Sequence, residues 1–244
     1  MALTRVFLDR ELASDEILEM PESAFRHLIQ VLRMTAGAQL RVFNGRGGEF
    51  EARIESVAKR SAQLRIGLRH DEVVESPLHV TLVQGIGKGD RMDWAIQKAV
   101  ELGVTEVVPI LSERCNVNLN QERQHKRLEH WRGVMISACE QSGRTMIPHL
   151  HAVTQFEQWC ASERIGQAFI LDPEAAQSLP TLLAERGPIS VLVGPEGGFS
   201  TAEISHASAR GCIPVRLGPR VLRTETAGLA AIALIQALRG DFAQ

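Results

Sequence analysis

Tyrosine is absent from the chain, and aromatic residues make up only 5% of it. A protein that stacks a run of unpaired bases needs many exposed rings, so a broad stacking platform for single-stranded nucleic acid is not expected. Cysteine is scarce. Cys115, Cys139, Cys160 and Cys212 form no C-x-x-C pair and fit no zinc ribbon or finger, which leaves free thiols in a reducing compartment. His125, His130, His149 and His151 follow no metal-ligand spacing either, and no metal is expected. No stretch approaches the ~18 apolar residues of a membrane span. Residues 1–10 carry charges and lack the apolar core of a secretory leader. A cytoplasmic protein with no membrane partner is the expectation. An excess of one charge is missing too. Lys and Arg number 27 against 29 Asp and Glu, for a formal net charge of −2. That balance excludes a histone-like or tail-type nucleic-acid binder but leaves room for a local basic face.

What is present is an ordinary globular composition, 44% hydrophobic and 23% charged over 244 residues, enough for two modest domains. Residues 1–73 read as a small β-rich domain. A short strand is expected at 5–8. A helix opens at Pro21 and Glu22, with Phe25, Leu28, Ile29 and Leu32 on one face and Gly37 as its stop. Strands follow at 39–43 and 50–57, joined by turn-forming Asn44-Gly45 and Gly47-Gly48, and at 62–68, with Leu64, Ile66 and Leu68 inward and Arg65 outward. Residues 70–77 are polar and end on Pro77, as a linker would. Across 74–244 the period changes. Strands at 78–83, 104–110, 168–171, 189–193 and 214–217 alternate with helices at 90–102, 122–141, 202–210 and 225–238. That alternation predicts an α/β domain built on a mostly parallel sheet covered on both faces.

Two loops carry most of the chemical interest. Val193-Gly194-Pro195-Glu196-Gly197-Gly198 follows a buried strand, at the sheet edge where ligands bind in open α/β folds. Its glycines either let main-chain groups approach a ligand closely or serve the turn alone. Ser200 and Glu203 form a capping box for the next helix. The second loop, residues 217–227, crowds two arginines, a glutamate and two threonines ahead of the last helix. Thr224 is its expected N-cap and Glu225 suits the helix dipole. It is either a ligand loop or a well-capped helix start. Gly85-Ile86-Gly87-Lys88-Gly89-Asp90 misses the dinucleotide fingerprint because Asp90 stands where glycine is required, and the P-loop pattern fails as well. Lys88 and Arg91 remain as phosphate contacts or solvated surface. In the first domain Arg5, His27, Arg33, Arg41 and Arg46 are spread over strand, helix and turn. They are solvated surface, or, if they converge, an RNA-docking face.

Arg5-Val6-Phe7, His27-Leu28-Ile29-Gln30-Val31-Leu32-Arg33, Lys98-Ala99-Val100-Glu101-Leu102-Gly103-Val104 and Glu140-Gln141-Ser142-Gly143-Arg144 recur in a recognisable order. With Gly194-Pro195-Glu196-Gly197-Gly198 and Leu217-Gly218-Pro219-Arg220-Val221-Leu222-Arg223-Thr224-Glu225-Thr226-Ala227, the chain resembles the bacterial 16S ribosomal RNA uracil-N3 methyltransferase family, RsmE, over nearly its whole length. That family belongs to the SPOUT class. The resemblance implies a PUA-like barrel that docks RNA and a C-terminal domain with a deep trefoil knot. It implies S-adenosylmethionine (SAM) held by Leu171, Val193, Gly194, Pro195, Glu196, Gly197, Gly198, Leu217, Gly218, Leu222, Thr224, Thr226 and Ala227. The substrate would be 16S rRNA, within the 30S subunit, and the enzyme a homodimer. Arg223 and Glu225 are the expected catalytic pair. Arg5, His27, Arg33, Arg46, Lys88 and Arg91 are the expected RNA contacts. Methylation of a ribose 2′-hydroxyl or of guanine, or RNA binding without catalysis in ribosome assembly, are the rival readings.

Overall fold

The computed structural model describes residues 3–71, 74–115, 120–183 and 187–242. They divide into two compact units, Met1–Glu75 with Cys139–Ile147, and Ser76–Ala138 with Pro148–Gln244. The first change of unit falls inside the polar stretch 70–77, of which residues 72 and 73 lie outside the described residues.

The first unit is a five-stranded mixed sheet, in the order β1 (Arg5–Phe7), β3 (Gln39–Phe43), β4 (Glu49–Val57), β5 (Ala62–His70), β2 (Ile17–Glu19). β1 runs parallel to β3 and every other pairing is antiparallel. All five strands feed one core, through Val6, Leu18, Leu40, Val42, Ile54, Leu64 and Ile66, so the sheet must curl around it. Phe25 and Leu28 enter the same core from the helix that starts after Pro21. That helix is α1 (Glu22–Phe25), which widens into a π-helical stretch, Arg26–Val31.

Three sequence expectations need correction here. Gly37 does not stop the helix. Arg33 does, in the left-handed conformation at φ 56°, and this leaves Leu32 45% exposed rather than inward. Leu68 also faces out, at 68% exposure. Opposite Phe50 and Ala52 of β4 stand Arg69 and Ile66 of β5, so three steps of one strand match two of the other. Such a bulge reverses the inward–outward alternation beyond it. Gly67 sits in the bulge, where a Cβ would lie 3.2 Å from the Glu51 side chain.

The segment Cys139–Ile147 is held in this unit by buried polar contacts. Arg5 pairs with Glu49 at 2.8 Å and donates to the carbonyls of Cys139, Glu140 and Arg144, among the last carbonyls of a helix and just beyond it. Arg144 pairs with Glu75 at 2.7 Å, both largely buried. The segments Arg5-Val6-Phe7 and 140–144, quoted above for their resemblance, are thus partners in one structural lock.

The second unit is a sheet in the order β12 (Cys212–Val215), β10 (Gln167–Leu171), β11 (Ile189–Val193), β6 (Val80–Gly85), β7 (Glu106–Leu111), β8 (His149–Leu150), with β9 (Thr154–Gln155) also paired to β7. All its pairings are parallel. Every residue of β6 is buried, which explains why such strands read as continuous apolar runs. Among the described residues, helices α2 (Arg91–Glu101), α3 (Gln121–Ser142), α4 (Phe156–Ala161) and α5 (Thr201–Ala209) connect strands, and α6 (Thr224–Arg239) follows the last one. After β6 the chain builds β7 on one side, and later places β11 on the other. The carboxyl ends of β6 and β11 therefore form a switch point, the place where open α/β sheets bind ligands. Among the described residues no helix is long and apolar enough to cross a membrane.

Candidate active site

The loops after β10, β11 and β12, with Arg91 and Arg114 from the β6 and β7 side, surround a cleft of about 710 Å³. That is ample for a nucleoside-sized ligand, since small-molecule sites run about 300–1,000 Å³. One wall is the turn that follows β11. It is tight because its glycines allow no alternative. A Cβ on Gly194 would lie 2.8 Å from the Gly198 carbonyl carbon and 2.9 Å from Phe199 N. A Cβ on Gly85, at the end of β6, would lie 2.6 Å from Pro195 N. Gly198 adopts φ +66°. With so few side chains, the turn presents main-chain N–H and C=O groups to the cleft.

The turn is anchored from both ends. Downstream, Ser200 and Glu203 form the reciprocal capping box expected from sequence, and the second Glu203 oxygen accepts the Glu113 N–H at 2.8 Å. Upstream, the Thr224 hydroxyl donates to the Gly194 carbonyl and accepts from Gln84 Nε2 at 2.9 Å, and Gln84 also donates to the Gly85 carbonyl. This network is fully buried and ties β6, the glycine turn and α6 together. The N-cap of α6 is Arg223, not Thr224, and its side chain makes no capping bond. Thr224 is the first helical residue, and its hydroxyl reaches back to the turn.

Glu196 joins a second pair of loops. Its carboxylate accepts the Lys88 N–H at 2.8 Å and pairs closely with Arg91. Burial pulls this carboxyl upward, but the hydrogen bonds from Lys88 N–H, its own N–H and Arg91 outweigh that and hold it below the ordinary carboxylate value.

The wall formed by the 217–227 loop carries the charged groups. Arg223 and Glu225 both line the cleft. Glu225 Oε2 is shielded from solvent and has no hydrogen-bond partner among the described residues. An unpaired acceptor of this kind costs about 1–3 kcal/mol unless a ligand supplies a donor. Of the residues expected around a cofactor, Leu171, Val193, Gly194, Pro195, Glu196, Gly197, Gly198, Leu217, Gly218, Leu222, Thr224 and Ala227 line the cleft, and Thr226 does not. Thr226 is exposed on α6.

The expected RNA contacts are more scattered. Arg91 lines the cleft and Lys88 is exposed nearby, bonded through its main chain. In the first unit Arg5 is committed to the internal lock and only 12% of its side chain is exposed, so it does not offer a cation to a partner. Arg41 is likewise engaged by Glu49 and Glu51. His27 and Arg33 are exposed at the π-helical stretch and its end, and Arg46 is exposed and paired with Glu11. Sequence reasoning missed Gln84, Asp172, Glu174 and Arg114. Gln84 could have been found as the single long polar side chain in an otherwise apolar strand. Arg114, which donates to the Gly197 carbonyl at 2.8 Å, left no sequence signal. All four cysteines are free thiols, and burial pushes the Cys139 thiol up to about 12.

Comparison with known proteins agrees with this arrangement. Residues 74–236 match the model of the RNA methyltransferase domain, and residues 21–67 that of the RNA methyltransferase PUA domain. The ribosomal RNA small subunit methyltransferase E of Buchnera aphidicola (subspecies Schizaphis graminum) is 33% identical over 98% of this chain and 98% of its own. The protein of that name from Bacillus subtilis is 30% identical over 95% of this chain and 97% of its own. Among solved structures, a methyltransferase from Legionella pneumophila, in complex with bound SAM, superposes with a TM-score of 0.96 at 38% identity, covering 99% of this chain and 100% of that one. The ribosomal RNA small subunit methyltransferase E of Neisseria gonorrhoeae, bound to SAM, gives 0.91 at 38% identity, over 98% of this chain and 99% of that one. With both domain models matched in order and relatives aligned from end to end, the chain belongs to the ribosomal RNA small subunit methyltransferase E family of RNA methyltransferases.

Proposed function

We propose that this protein methylates N3 of a uracil in 16S rRNA, with SAM as the donor. The observation that carries the proposal is the cleft itself. A glycine turn that offers mainly main-chain groups faces a loop bearing an exposed guanidinium, Arg223, and a half-buried carboxylate with an unsatisfied oxygen, Glu225. The residues present fit an adenosyl ligand. Leu171, Val193, Leu217, Leu222 and Ala227 give apolar surface, and the 194–198 turn gives donors and acceptors at close range.

When bound, SAM supplies an electrophilic methyl group on a sulfonium. The chain's own residues must then solve the other half of the problem, because uracil N3 carries a proton and is a poor nucleophile. Glu225 accepts that proton, and Arg223 stabilises the imide anion left behind. Holding the anion in line with the donor contributes further, since orientation alone is worth several kcal/mol, up to about 7–11 in favourable cases. N3 lies on the pairing edge of the base, so the nucleotide must be unpaired or extruded to enter the cleft.

The rest of the assignment follows the same reading. Residues 1–73 dock the RNA through His27, Arg33 and Arg46, and residues 74–244 form the knotted catalytic domain, with Lys88 contributing a phosphate contact. The enzyme works as a homodimer on the 30S subunit, in the cytoplasm. The test is to incubate the purified protein with methyl-labelled SAM and either 30S particles or bare 16S rRNA, then map the product. Label on a single uridine as N3-methyluridine is expected, preferentially in the particles. Label on a ribose or on guanine would overturn the substrate assignment, and no incorporation into either RNA would overturn the activity.

A further inference from the structure

Five arginines line the cleft: Arg91, Arg114, Arg216, Arg220 and Arg223. They are not equivalent. Arg91 is paired with Glu196, Arg114 donates to the Gly197 carbonyl, and Arg216 donates to the Ala175 carbonyl at 3.0 Å. These three are engaged by the protein and hold the walls of the cleft. Arg223 has a part in the proposed chemistry. Arg220 is exposed and meets no acceptor among the described residues.

The loop that carries Arg220 is held on both sides. Before it, Arg216 N–H bonds to the Gln177 carbonyl, and Arg216 O accepts the Leu179 N–H. Gly218 turns the chain at φ +85°, and Pro219 fixes the next backbone angle. After it, α6 begins at Thr224, whose hydroxyl is locked to Gly194. Between these anchors the loop opens to solvent, with Val221 81% exposed. A guanidinium that meets no partner among the described residues, on a loop anchored at both ends beside a cleft, is a site for an anion from outside. The cleft's proposed substrate carries one such anion on each side of the nucleotide that enters.

We infer that Arg220 binds a phosphate of the substrate RNA next to the target nucleotide and so positions that nucleotide at the cleft. This inference rests on the RNA methyltransferase reading above. Arg220 is a positioning residue in it and takes no part in the transfer. Its effect should therefore appear in the binding of RNA and in the salt dependence of that binding, while the rate at saturation stays close to wild type. It also predicts tolerance of lysine, because a phosphate contact needs a positive charge more than a fork of donors.

The experiment measures methyl transfer to 30S particles by wild type, Arg220→Gln and Arg220→Lys across a range of salt, with SAM affinity measured separately by calorimetry. For Arg220→Gln the KM for RNA should rise about five- to tenfold with kcat within twofold. The slope of log affinity against log salt should fall by about 0.7–0.9, the value for one lost phosphate contact. Arg220→Lys should recover most of the loss. If Arg220→Gln keeps both the wild-type KM and the wild-type slope, the inference is wrong. A collapse of kcat at saturating RNA would make Arg220 part of the chemistry instead, and a tenfold loss of SAM affinity would assign it to the cofactor; either overturns the inference. The underlying reading fails separately, if wild type itself transfers no methyl group to the RNA.

Discussion

Arg223→Ala is expected to lower methyl transfer by about two to three orders of magnitude, with the fold and SAM affinity nearly intact. The size follows from the loss of one preorganised donor to a developing anion, which typically costs about 10²–10³ in rate. The selectivity follows from the position. Arg223 is the N-cap of α6, but its side chain makes no capping bond. What the helix uses is the Arg223 carbonyl, which accepts from Thr226 and Ala227, and alanine retains that group. The side chain is exposed in the cleft, so its removal opens no cavity in the core. Calorimetry with SAM and a single-turnover assay on 30S particles separate the two effects. Turnover by Arg223→Ala at the wild-type rate would remove the residue from the mechanism.

The second large effect is expected at Gly194. A methyl group there would press on the backbone of Gly198 and Phe199 at 2.8–2.9 Å, and backbone cannot step aside as a flexible side chain can. The turn has to open. Overpacking of this kind costs about 1–3 kcal/mol. Spread over the turn proposed to hold the cofactor, that cost corresponds to a roughly 10- to 100-fold loss of SAM affinity, at about 1.4 kcal/mol per tenfold. The neighbouring glycines give a built-in ranking. At Gly198 a Cβ meets nothing within 4 Å, but φ is +66°, so the penalty is backbone strain of about 1–2 kcal/mol. At Gly197 the added atom meets the Arg114 Cβ at 3.0 Å, a contact that relaxes if the two segments part by a few tenths of an ångström. Calorimetry on the three alanine variants should thus show the largest loss at Gly194 and smaller ones at Gly198 and Gly197. Equal affinities across the series would mean that the turn does not shape the site.

Much of this was visible in the residues alone, for identifiable reasons. β11 is a nearly continuous apolar run and α6 a long apolar helix behind a dense polar loop, so both stood out, and the capping box at Ser200 and Glu203 formed as written. Short elements did not stand out. β2, β8, β9 and α4 hold between two and six residues each, too few for a period to show. The outward turn of Leu68 depends on a bulge, which is a property of the strand pair and not of either strand. The return of residues 139–147 to the first unit depends on Arg5 and Glu75, far away in sequence, and local polarity carries no trace of it.

The candidate site divides in the same way. Its glycines, Arg223 and Glu225 could be singled out because they crowd two short loops at one sheet edge. Their supports were harder to find. Gln84 sits inside a buried strand, and only the fold shows that its amide holds Thr224 and, through it, the Gly194 carbonyl. Arg5 looked like an RNA contact because a lone arginine near a strand start gives no hint of the helix carbonyls it will meet. A buried arginine and an exposed one look the same in sequence, and burial decides between lock and ligand.

The most direct measurement is a crystal structure of this chain grown with saturating SAM. The account predicts an adenosyl group inside the cleft, its polar edges bonded to main-chain atoms of residues 194–198 and 217–222, with Arg223 and Glu225 facing the transferable methyl. Density for the cofactor at any other place on the molecule, or a cleft left empty at saturation, would contradict it.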